Sequence, residues 1–593
     1  SLQNKWKTNK EKNVSNDIEA FFYVLKNMKY LRNSRISCKS SLFHISCYTI
    51  GIVMEDRVNM ADNFGMKGYM KGALLLTIAA LIVKALSAVY RVPFQNLVGD
   101  QGFYIYQQVY PFISFFVVWA SGGFAVAISK MLADAESSIH PVERKGFISR
   151  TIFYYLTLLS IIFFCLLFFG ANILSELMGD LQLAPLLKTG SFVTLFMPML
   201  ALMKGRFQSQ GKMEPVAYAQ VFEQFIRVAF ILVGAIIIMH TNKSLYAAGN
   251  AAVFGTVIGE IAAVILLLYY SKKVQIVPKK LKKTERTWPI LKEVTILSLS
   301  VSMSSLLLLC FQLIDSFTVF STLLHNGMES IKAMEMKGIY DRGQPLVQLG
   351  IIIASSLSLA IVPLVALQSK KKGGRGPNPF IQLTYRASIL LGVAASIGLV
   401  IVMPYVNQML FETNALSNVL MVYVLQIVPL SVILPLTAIL QGMNKLKIPA
   451  LILIGAILLK YIGNCYFIPN WDVLGAAIAS NIALFLSAGL LMIYLKQLVH
   501  SKLATKAFYI KLCIASGSMI FVVALVDQVI QAVIPIVTGR MESVIIGGCL
   551  ICIGAFVYLT IVAKTKMLAV KEWFLLPFGR KMARYQLLLN KKK

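Results

Sequence analysis

The sequence predicts an all-α polytopic membrane protein. Of its 593 residues, 57% are hydrophobic and only 14% are charged, whereas soluble domains carry about 25% charged residues. From Tyr69 almost to the end of the chain, apolar runs follow one another. Each run has at least the roughly 18 residues that a helix needs to cross the hydrocarbon core of a bilayer. Lysines and arginines are concentrated in the breaks between runs, as in the loops of membrane proteins.

The apolar runs predict fourteen membrane spans, numbered here in chain order. They cover residues 69–91, 104–130, 148–173, 185–206, 215–239, 245–270, 293–321, 344–368, 381–405, 415–440, 447–468, 473–495, 507–530 and 542–563. The predicted domains are a disordered extension or mis-assigned start (1–66), an N-lobe of spans 1–6 (67–272), a basic linker (273–287), a C-lobe of spans 7–12 (288–498), spans 13 and 14 (499–565) and a basic amphipathic tail (566–593).

The connections between spans alternate between rich and poor in positive charge. The basic set includes Lys130, Arg144, Lys204, Arg206 and the run KKKGGR at 370–375. Short positively charged loops stay in the cytoplasm, so we expect both termini there and an outer loop at 92–103. The tail interleaves basic and apolar residues, which is typical of a segment on an anionic membrane surface or, equally, of a frayed cationic end.

Several function classes are disfavoured by the distribution of charge and of metal-binding residue types. The net charge of +31 lies in loops and forms no folded basic module of the kind that binds nucleic acid. Cys549 and Cys552 form a CxxC inside an apolar run, without the further ligands that zinc needs. We expect no metal, no cofactor and no nucleic-acid partner, and a monomer surrounded by membrane lipids.

An internal repeat relates the two predicted lobes. The pattern G-x-Y-x-x-x-Q occurs at Gly102–Gln108 and again at Gly338–Gln344, 236 residues later (338 − 102). PMLALMKG from Pro198 matches PLTAILQG from Pro435, 237 residues later (435 − 198). A third match, Gly249 with Gly475, has an offset of 226 (475 − 249). Duplication of six spans gives parallel repeats, between which a transport site is expected.

Three segments carry a resemblance to a known family. They are residues 72–111, residues 205–228 (GRFQSQGKMEPVAYAQVFEQFIRV) and residues 460–480 (KYIGNCYFIPNWDVLGAAIAS). The chain resembles the multidrug/oligosaccharidyl-lipid/polysaccharide (MOP) flippase superfamily, and within it the polysaccharide exporters that include stage V sporulation protein B and Gram-positive MurJ-type lipid II flippases. The resemblance extends over about residues 66–565.

The resemblance implies two six-helix lobes around a central cavity, alternating access, and a bacterial plasma membrane location. The implied cargo is an undecaprenyl-pyrophosphate-linked saccharide, either lipid II or a related polysaccharide precursor, with spans 13 and 14 forming a groove for its lipid tail. Gram-negative MurJ proteins have an arginine in span 2 shortly after a proline. Here Pro111 is followed by FISFFVV, so that contact is missing and the identity of the saccharide stays open.

Ionisable residues inside spans are candidate functional residues, because each costs about 2.5–3.5 kcal/mol at the membrane centre. Lys84, Ser87 and Arg91 have the spacing i, i+3, i+7 and are predicted to share one helix face. They are candidates for binding a pyrophosphate; alternatively, Arg91 reaches the outer interface. Gln108 and Gln344, at equivalent positions of the repeat, are further candidates for substrate binding.

A second group of candidates is acidic and basic residues that can pair with one another. Glu223 and Arg227 are spaced i, i+4, so they form an internal pair unless Arg227 is free to bind cargo. Glu260 is a candidate for protonation or for pairing with Arg227.

Asp315 in span 7 and Lys460 in span 11 lie at matching depths, with Asn464 one turn further. Related MurJ proteins hold a sodium ion between these two spans. In this chain we expect Lys460 to supply a tethered positive charge in place of the ion, which disfavours sodium coupling.

Two rival functions are less compatible with these residues. A multidrug cation antiporter of the same superfamily needs a net acidic cavity, whereas the four cations named above outnumber the three acids. A membrane glycosyltransferase or ligase needs positioned acids or a histidine base near an outer active site, and the outer loops are short and show no such pair. The sequence therefore predicts a transporter and not an enzyme.

Overall fold

The computed structural model describes residues 67–138, 140–271, 286–352, 354–356, 379–445, 447–499, 503–533, 539–573 and 579–590. These residues are almost entirely helical, and none of them lies in a β-strand. Residues Met66–Lys593 belong to one compact unit. The predicted all-α membrane fold is confirmed. The expectations for 1–66 and for nearly all of the linker 273–287 fall outside the described residues, and the lobe boundaries stay a prediction.

The first half of the described chain is built from helices α1 to α9. They are α1 (Lys67–Val89), α2 (Arg91–Val118), α3 (Ala125–Asp134), α4 (Pro141–Phe169), α5 (Ala171–Leu177), α6 (Ala184–Ser191), α7 (Met197–Ser209), α8 (Glu214–His240) and α9 (Leu245–Ser271). A π-helix (Trp119–Phe124) joins α2 to α3. Proline occupies the first turn of α4, α6, α7 and α8, where its missing N–H costs no helical hydrogen bond.

The loop conformation expected at 92–103 is wrong, because this stretch is helical and partly buried, whereas its location on the outer side stays a prediction. It belongs to α2, and only Gly99, with a φ of 71°, departs from helical geometry. Phe94 and Val98 are both buried in the core. Their i, i+4 spacing puts them on one helix face, so folding this stretch as helix buries both side chains together.

The second half contains helices α10 to α20. They are α10 (Thr287–His325), α11 (Ser330–Asp341), α12 (Gly343–Gly350), α13 (Pro379–Phe411), α14 (Ser417–Val424), α15 (Ile427–Gly442), α16 (Lys447–Val499), α17 (Lys506–Val533), α18 (Arg540–Lys564), α19 (Val570–Trp573) and α20 (Gly579–Leu589). The connection expected before span 8 is largely the helix α11, since it buries Ala333 and Tyr340. Within α16 the backbone breaks at Trp471 and Asp472, between spans 11 and 12.

Eleven helical segments of the described chain are long and apolar enough to cross a membrane. Two of them, Leu75–Ser137 and Lys447–Val499, each cover two of the predicted spans. Span 8 is described only in its first part, to residue 356. The other predicted spans each lie within one of these segments, apart from a few residues at their ends. The chain is therefore a multi-pass membrane protein.

Small residues allow the helices to approach closely. On α9, a Cβ added at Gly255 would lie 3.1 Å from the Phe230 side chain of α8, and one at Gly259 would lie 3.0 Å from the backbone oxygen of Glu223. Such contacts are typical of membrane helices, which associate through van der Waals packing and not through expulsion of water. The close contact of α8 with α9 is what brings Glu223 and Glu260 within reach of one arginine.

Candidate functional site: buried charges between and within the two halves

Arg91 lies where the two halves of the chain meet. It is the first residue of α2 and is completely buried. Its Nη1 donates a hydrogen bond to Oε1 of Gln344 on α12, and Nε2 of Gln107 donates to the same oxygen at 2.9 Å. The guanidinium also lies over the Tyr110 ring, 4.5 Å from its centre. Because Arg91 is buried inside the protein, the alternative that it reaches the outer interface is wrong.

No carboxylate of the described part of the chain lies within ion-pair distance of Arg91, and the buried Asp341, which interacts with it electrostatically, is itself paired with Lys337. Arg91 forms no ion pair there, and its Nε and Nη2 have no hydrogen-bond partner among these residues. The Nε2 of Gln344 is also without a partner. Buried polar groups are normally hydrogen-bonded, so these N–H groups can donate to an anion.

An ion pair between the halves closes the structure on one side of Arg91. Arg342 donates from Nη2 to Oδ2 of Asp100 at 2.7 Å and from Nε to Oδ1 at 3.0 Å, which is a two-point contact between guanidinium and carboxylate. Nη1 of Arg342 donates to Asn407 at 2.8 Å. Since a helix rises 1.5 Å per residue, Tyr110 is about 15 Å along α2 from Asp100. We call this side of the protein the Asp100 end.

The halves also touch towards the opposite end. Trp119 Nε1 donates to Ser298 Oγ on α10 at 3.3 Å, and the hydroxyl groups of Tyr155 and Thr295 are 2.8 Å apart. In the second half, a cavity of about 10 Å³ borders Gln344 and Asp315, with room for about one water molecule. Contacts between the two halves therefore lie on both sides of Arg91.

A cluster of four charges is buried within the first half. Arg227 donates to Glu223 at 2.8 Å and to Glu260 at 3.2 Å, so the expected i, i+4 pair and the expected pairing with Glu260 are both present. Lys204 lies 3.5 Å from Glu223 and donates to Ser121 of the π-helix at 2.8 Å. Two cations and two carboxylates balance. In this arrangement Arg227 is engaged by two acids, and its contact with cargo stays a prediction.

The assignment of Lys204 to a cytoplasmic connection is wrong. Lys204 is fully buried, on α7. Its motif PMLALMKG forms one continuous helical segment, and Ser121 and Glu223 supply a hydrogen-bond acceptor and a counter-charge. The misassignment arose because Lys204 and the neighbouring Arg206 together resemble the cluster of positive charges that usually marks the end of a span.

The second half buries a smaller cluster around Asp315. Lys460 Nζ lies 2.7 Å from Oδ1 of Asp315, as the expected pairing requires, and donates to the backbone oxygen of Ala476 at 2.9 Å. Asn464 Nδ2 donates to the same Asp315 oxygen at 2.8 Å, and Tyr340 donates to Oδ2 at 2.8 Å. Both carboxylate oxygens are thus satisfied. A role of this cluster in coupling stays a prediction.

Lys84, Ser87 and Arg91 differ in burial and do not form the shared helix face that the sequence predicts. Lys84 is exposed, Ser87 is half-buried and Arg91 is buried. α1 ends at Val89 and α2 begins at Arg91. The i, i+3, i+7 spacing therefore extends over two helices and does not put the three residues on one helix face. The structure brings Arg91 to Gln344 but does not record a polar contact between Lys84 and either residue.

In each copy of the G-x-Y-x-x-x-Q pattern, the tyrosine donates a hydrogen bond to an aspartate. Tyr104 donates to Asp180 at 3.3 Å, and Tyr340 donates to Asp315. Asp180 lies at the Asp100 end, where burial raises the pKa of its carboxyl, although hydrogen bonds, first of all that from Tyr246, act in the opposite direction. The glutamines differ: Gln344 accepts from Arg91, whereas Gln108 donates to the backbone oxygen of Ser316 at 3.2 Å.

Besides Lys204, four residues of the buried polar contacts were not identified as site residues from the sequence. They are Asp100, Gln107, Tyr110 and Arg342, and all of them lie in or next to the two copies of the repeated pattern. An acid lies beside one copy and an arginine inside the other, which is a signal for contact between the two segments. Spacing alone gave no means of pairing residues more than 240 positions apart.

Comparison with known proteins gives a consistent family. Residues 69–367 match the family described as polysaccharide biosynthesis protein. The chain is 34% identical over 541 residues to the uncharacterized membrane protein YabM of Bacillus subtilis (strain 168), covering 89% of this chain and 98% of that protein. It is 24% identical over 513 residues to the lipid II flippase MurJ of the same organism, covering 83% and 94% of the two chains. These matches indicate no catalytic family.

The fold has a solved counterpart. A structure of the lipid II flippase MurJ in an inward closed conformation aligns with a TM-score of 0.62 at 16% identity, covering 83% of this chain and 99% of that one. An inward-facing multidrug resistance MATE transporter of the MOP superfamily aligns with a TM-score of 0.54 at 12% identity, covering 70% and 95%. At such identities the likeness concerns the fold alone.

Proposed function

Because this chain belongs to the polysaccharide biosynthesis protein family, we propose that it flips a lipid-linked saccharide precursor across a bacterial plasma membrane. The cargo class is an isoprenoid-pyrophosphate-linked saccharide, and lipid II is its best-defined member. The proposal is supported by 24% identity to a lipid II flippase and 25% identity to stage V sporulation protein B, both along nearly their whole lengths.

The single observation that carries the proposal is the uncompensated guanidinium of Arg91. A transporter of an anionic headgroup needs a cation between its two halves, and Arg is suited to phosphate oxygens because it binds them with two parallel hydrogen bonds. Arg91 has two nitrogens without partners, and the neighbouring Gln344 has a spare amide N–H. Because contacts between the halves lie on both sides of Arg91, these groups bind cargo when one set of contacts is broken.

Lys84 supports the same proposal as a second cation. It is exposed, five residues before the end of α1, and a charged side chain within a membrane helix normally faces a water-filled cavity or the bundle interior. We propose that Lys84 faces the cargo path and adds a second positive charge for a pyrophosphate. The multidrug cation antiporter is disfavoured by the same two residues, since a cationic cargo would be repelled.

Alternating access accounts for the two sets of contacts between the halves. Loss of the Asp100–Arg342 pair opens one side of Arg91, and loss of the Trp119–Ser298 contact opens the other. The charge distribution of the loops favours the Asp100 end as the outer face. A cysteine at Asn96, which is exposed, should react with an impermeant thiol reagent from outside, while one at Lys212 should not; the reverse result contradicts this orientation.

The cargo is tested by complementation of a conditional bacterial strain that lacks its lipid II flippase. Wild-type chain should restore growth, Arg91→Gln should not, and Arg91→Lys should restore it partly because the charge is kept. Arg150→Gln is the matched control, since Arg150 is exposed and stacks on Tyr154. Failure of the wild type at normal expression would exclude lipid II. Full growth with Arg91→Gln would show that Arg91 is not needed for cargo binding.

A further inference from the structure

A second cavity lies away from the charges described so far, beside the first turns of α13 and α17 and the residues that follow α18. Its volume is about 490 Å³, within the range of about 300–1,000 Å³ that ligand sites occupy. Three cations line it: Arg386 on α13, Lys511 on α17 and Lys566 after α18. We propose that this cavity binds the phosphate headgroup of an anionic phospholipid.

The charges of the cavity are only partly balanced. Arg386 pairs with Glu572. Lys511 donates to the backbone oxygen of Thr565 at 2.7 Å, which satisfies one of its three N–H bonds but not its charge. Lys566 is exposed and is held in the left-handed region at a φ of 51°. Neither lysine forms an ion pair with another described residue, so the cavity keeps a net positive charge.

The depth of the cations fits a lipid phosphate. α13 begins at Pro379 and α17 at Lys506, so Arg386 and Lys511 lie about 8–10 Å along their helices from these starts. The headgroup region of a bilayer is about 5–8 Å thick on each side. The two side chains therefore leave their helices near the boundary between headgroups and acyl chains, where they can reach a phosphate.

The rest of the lining has the character of a lipid contact. Leu503, Phe508 and Met567 are buried apolar residues that border the same cavity. A free phosphate ion gains nothing from such a wall, whereas the glycerol and upper acyl chains of a phospholipid do. The loop charges favour this end as cytoplasmic, and basic pockets between helices on that side typically bind anionic headgroups.

Native mass spectrometry of the detergent-purified full chain tests the site by titration with phosphatidylglycerol or phosphatidylcholine. We expect tighter binding of phosphatidylglycerol, and a loss of about fivefold in its affinity for each cation removed. Lys566→Gln tests this without touching a structural contact. Lys511→Gln extends the series. Arg386→Gln combined with Glu572→Gln avoids an unpaired acid but removes one charge of each sign, so a smaller loss of affinity is expected from it. The matched control is Lys445→Gln with Lys447→Gln, two exposed lysines at the same predicted end.

The outcomes separate the lipid from other sources of phosphate. Equal binding of the two lipids overturns the proposal, and so does an equal loss in Lys566→Gln and in the control. Inorganic phosphate serves as competitor in a third titration. If millimolar phosphate displaces phosphatidylglycerol and raises the unfolding temperature of the wild type but not of Lys566→Gln, the site takes free phosphate and the assignment to a lipid is wrong.

Discussion

Each half of the chain buries a cluster of charged side chains, and the two clusters occupy equivalent positions of the internal repeat. Glu223 and Arg227 on α8 precede Lys460 and Asn464 on α16 by 237 residues (460 − 223 and 464 − 227), the offset that also relates PMLALMKG to PLTAILQG. A carboxylate in the first half thus corresponds to an ammonium in the second. The repeat has kept polar side chains at both positions, with the charge inverted between Glu223 and Lys460 and lost between Arg227 and Asn464.

The clusters differ in how many partners each charge has. In the first half, Glu223 lies between two cations and Arg227 between two acids, so loss of either end of this chain, Lys204 or Glu260, leaves every remaining charge with a partner. In the second half, Asp315 and Lys460 have only each other as charged partners within 4 Å among the described residues. We infer that the first-half cluster tolerates substitution of Lys204 or Glu260, whereas the second-half cluster tolerates the loss of neither member.

The largest expected effect is the loss of either member of the second-half pair. Asp315→Asn and Lys460→Met should each abolish complementation and lower the free energy of unfolding by about 3–5 kcal/mol, because the remaining charge is buried without a partner. Thermal unfolding in detergent and the growth assay measure the two effects.

The exchange Asp315→Lys with Lys460→Asp sharpens this test. It restores the pair, but a carboxylate at 460 would face the backbone oxygen of Ala476, to which Lys460 now donates. Partial recovery is therefore expected, and recovery no better than that of the single variants would contradict a charge-pair role.

A smaller effect is expected in the first half from Lys204→Gln, which introduces the residue type found at the equivalent position 441. Glu223 keeps Arg227 as its partner, so we expect a loss of about 1–3 kcal/mol in stability with transport retained. Lys212→Gln, at an exposed position, is the control. If Lys204→Gln lowered the stability as much as Lys460→Met, the predicted difference between the two clusters would be contradicted.

Glu260→Gln should have a still smaller effect. Only one of its carboxylate oxygens is hydrogen-bonded, to Arg227, and the other has no partner among the described residues. An amide keeps the acceptor for Arg227, which also retains Glu223, so we expect a loss of about 1 kcal/mol or less. Inactivity of a stably folded Glu260→Gln would instead indicate that this carboxyl takes up a proton during transport.

No effect is expected from the choice of monovalent cation. Lys460 and Asn464 already fill the surroundings of Asp315, and an ammonium there occupies the space that an ion would need. Transport in proteoliposomes should be the same in sodium and in potassium. A several-fold dependence on sodium would show that the pair opens during the cycle and that Lys460 is no substitute for an ion.

Much of the membrane fold and several of the buried pairs were predictable from the sequence, for identifiable physical reasons. Long apolar runs form membrane helices because the hydrocarbon core of a bilayer requires every backbone polar group to be hydrogen-bonded within the protein. Asp315 and Lys460 could be paired because the position of a residue within its span sets its depth in the membrane. Lys204 was misplaced because a buried lysine near the end of an apolar run looks like a loop lysine. The Asp100–Arg342 pair was missed because its two residues lie in what the charge pattern marked as connections.

Gly338 on α11 has a consequence for the rate at which the Asp100 end opens. A Cβ at this position would overlap the backbone oxygen of Asp100, so the two helices meet there backbone against backbone. Separation at this point needs no rearrangement of a side chain of Gly338, which has none. We therefore expect the activation barrier to opening this end to be set mainly by breaking polar contacts, namely the Asp100–Arg342 ion pair and the hydrogen bond from Gln101 to Glu335.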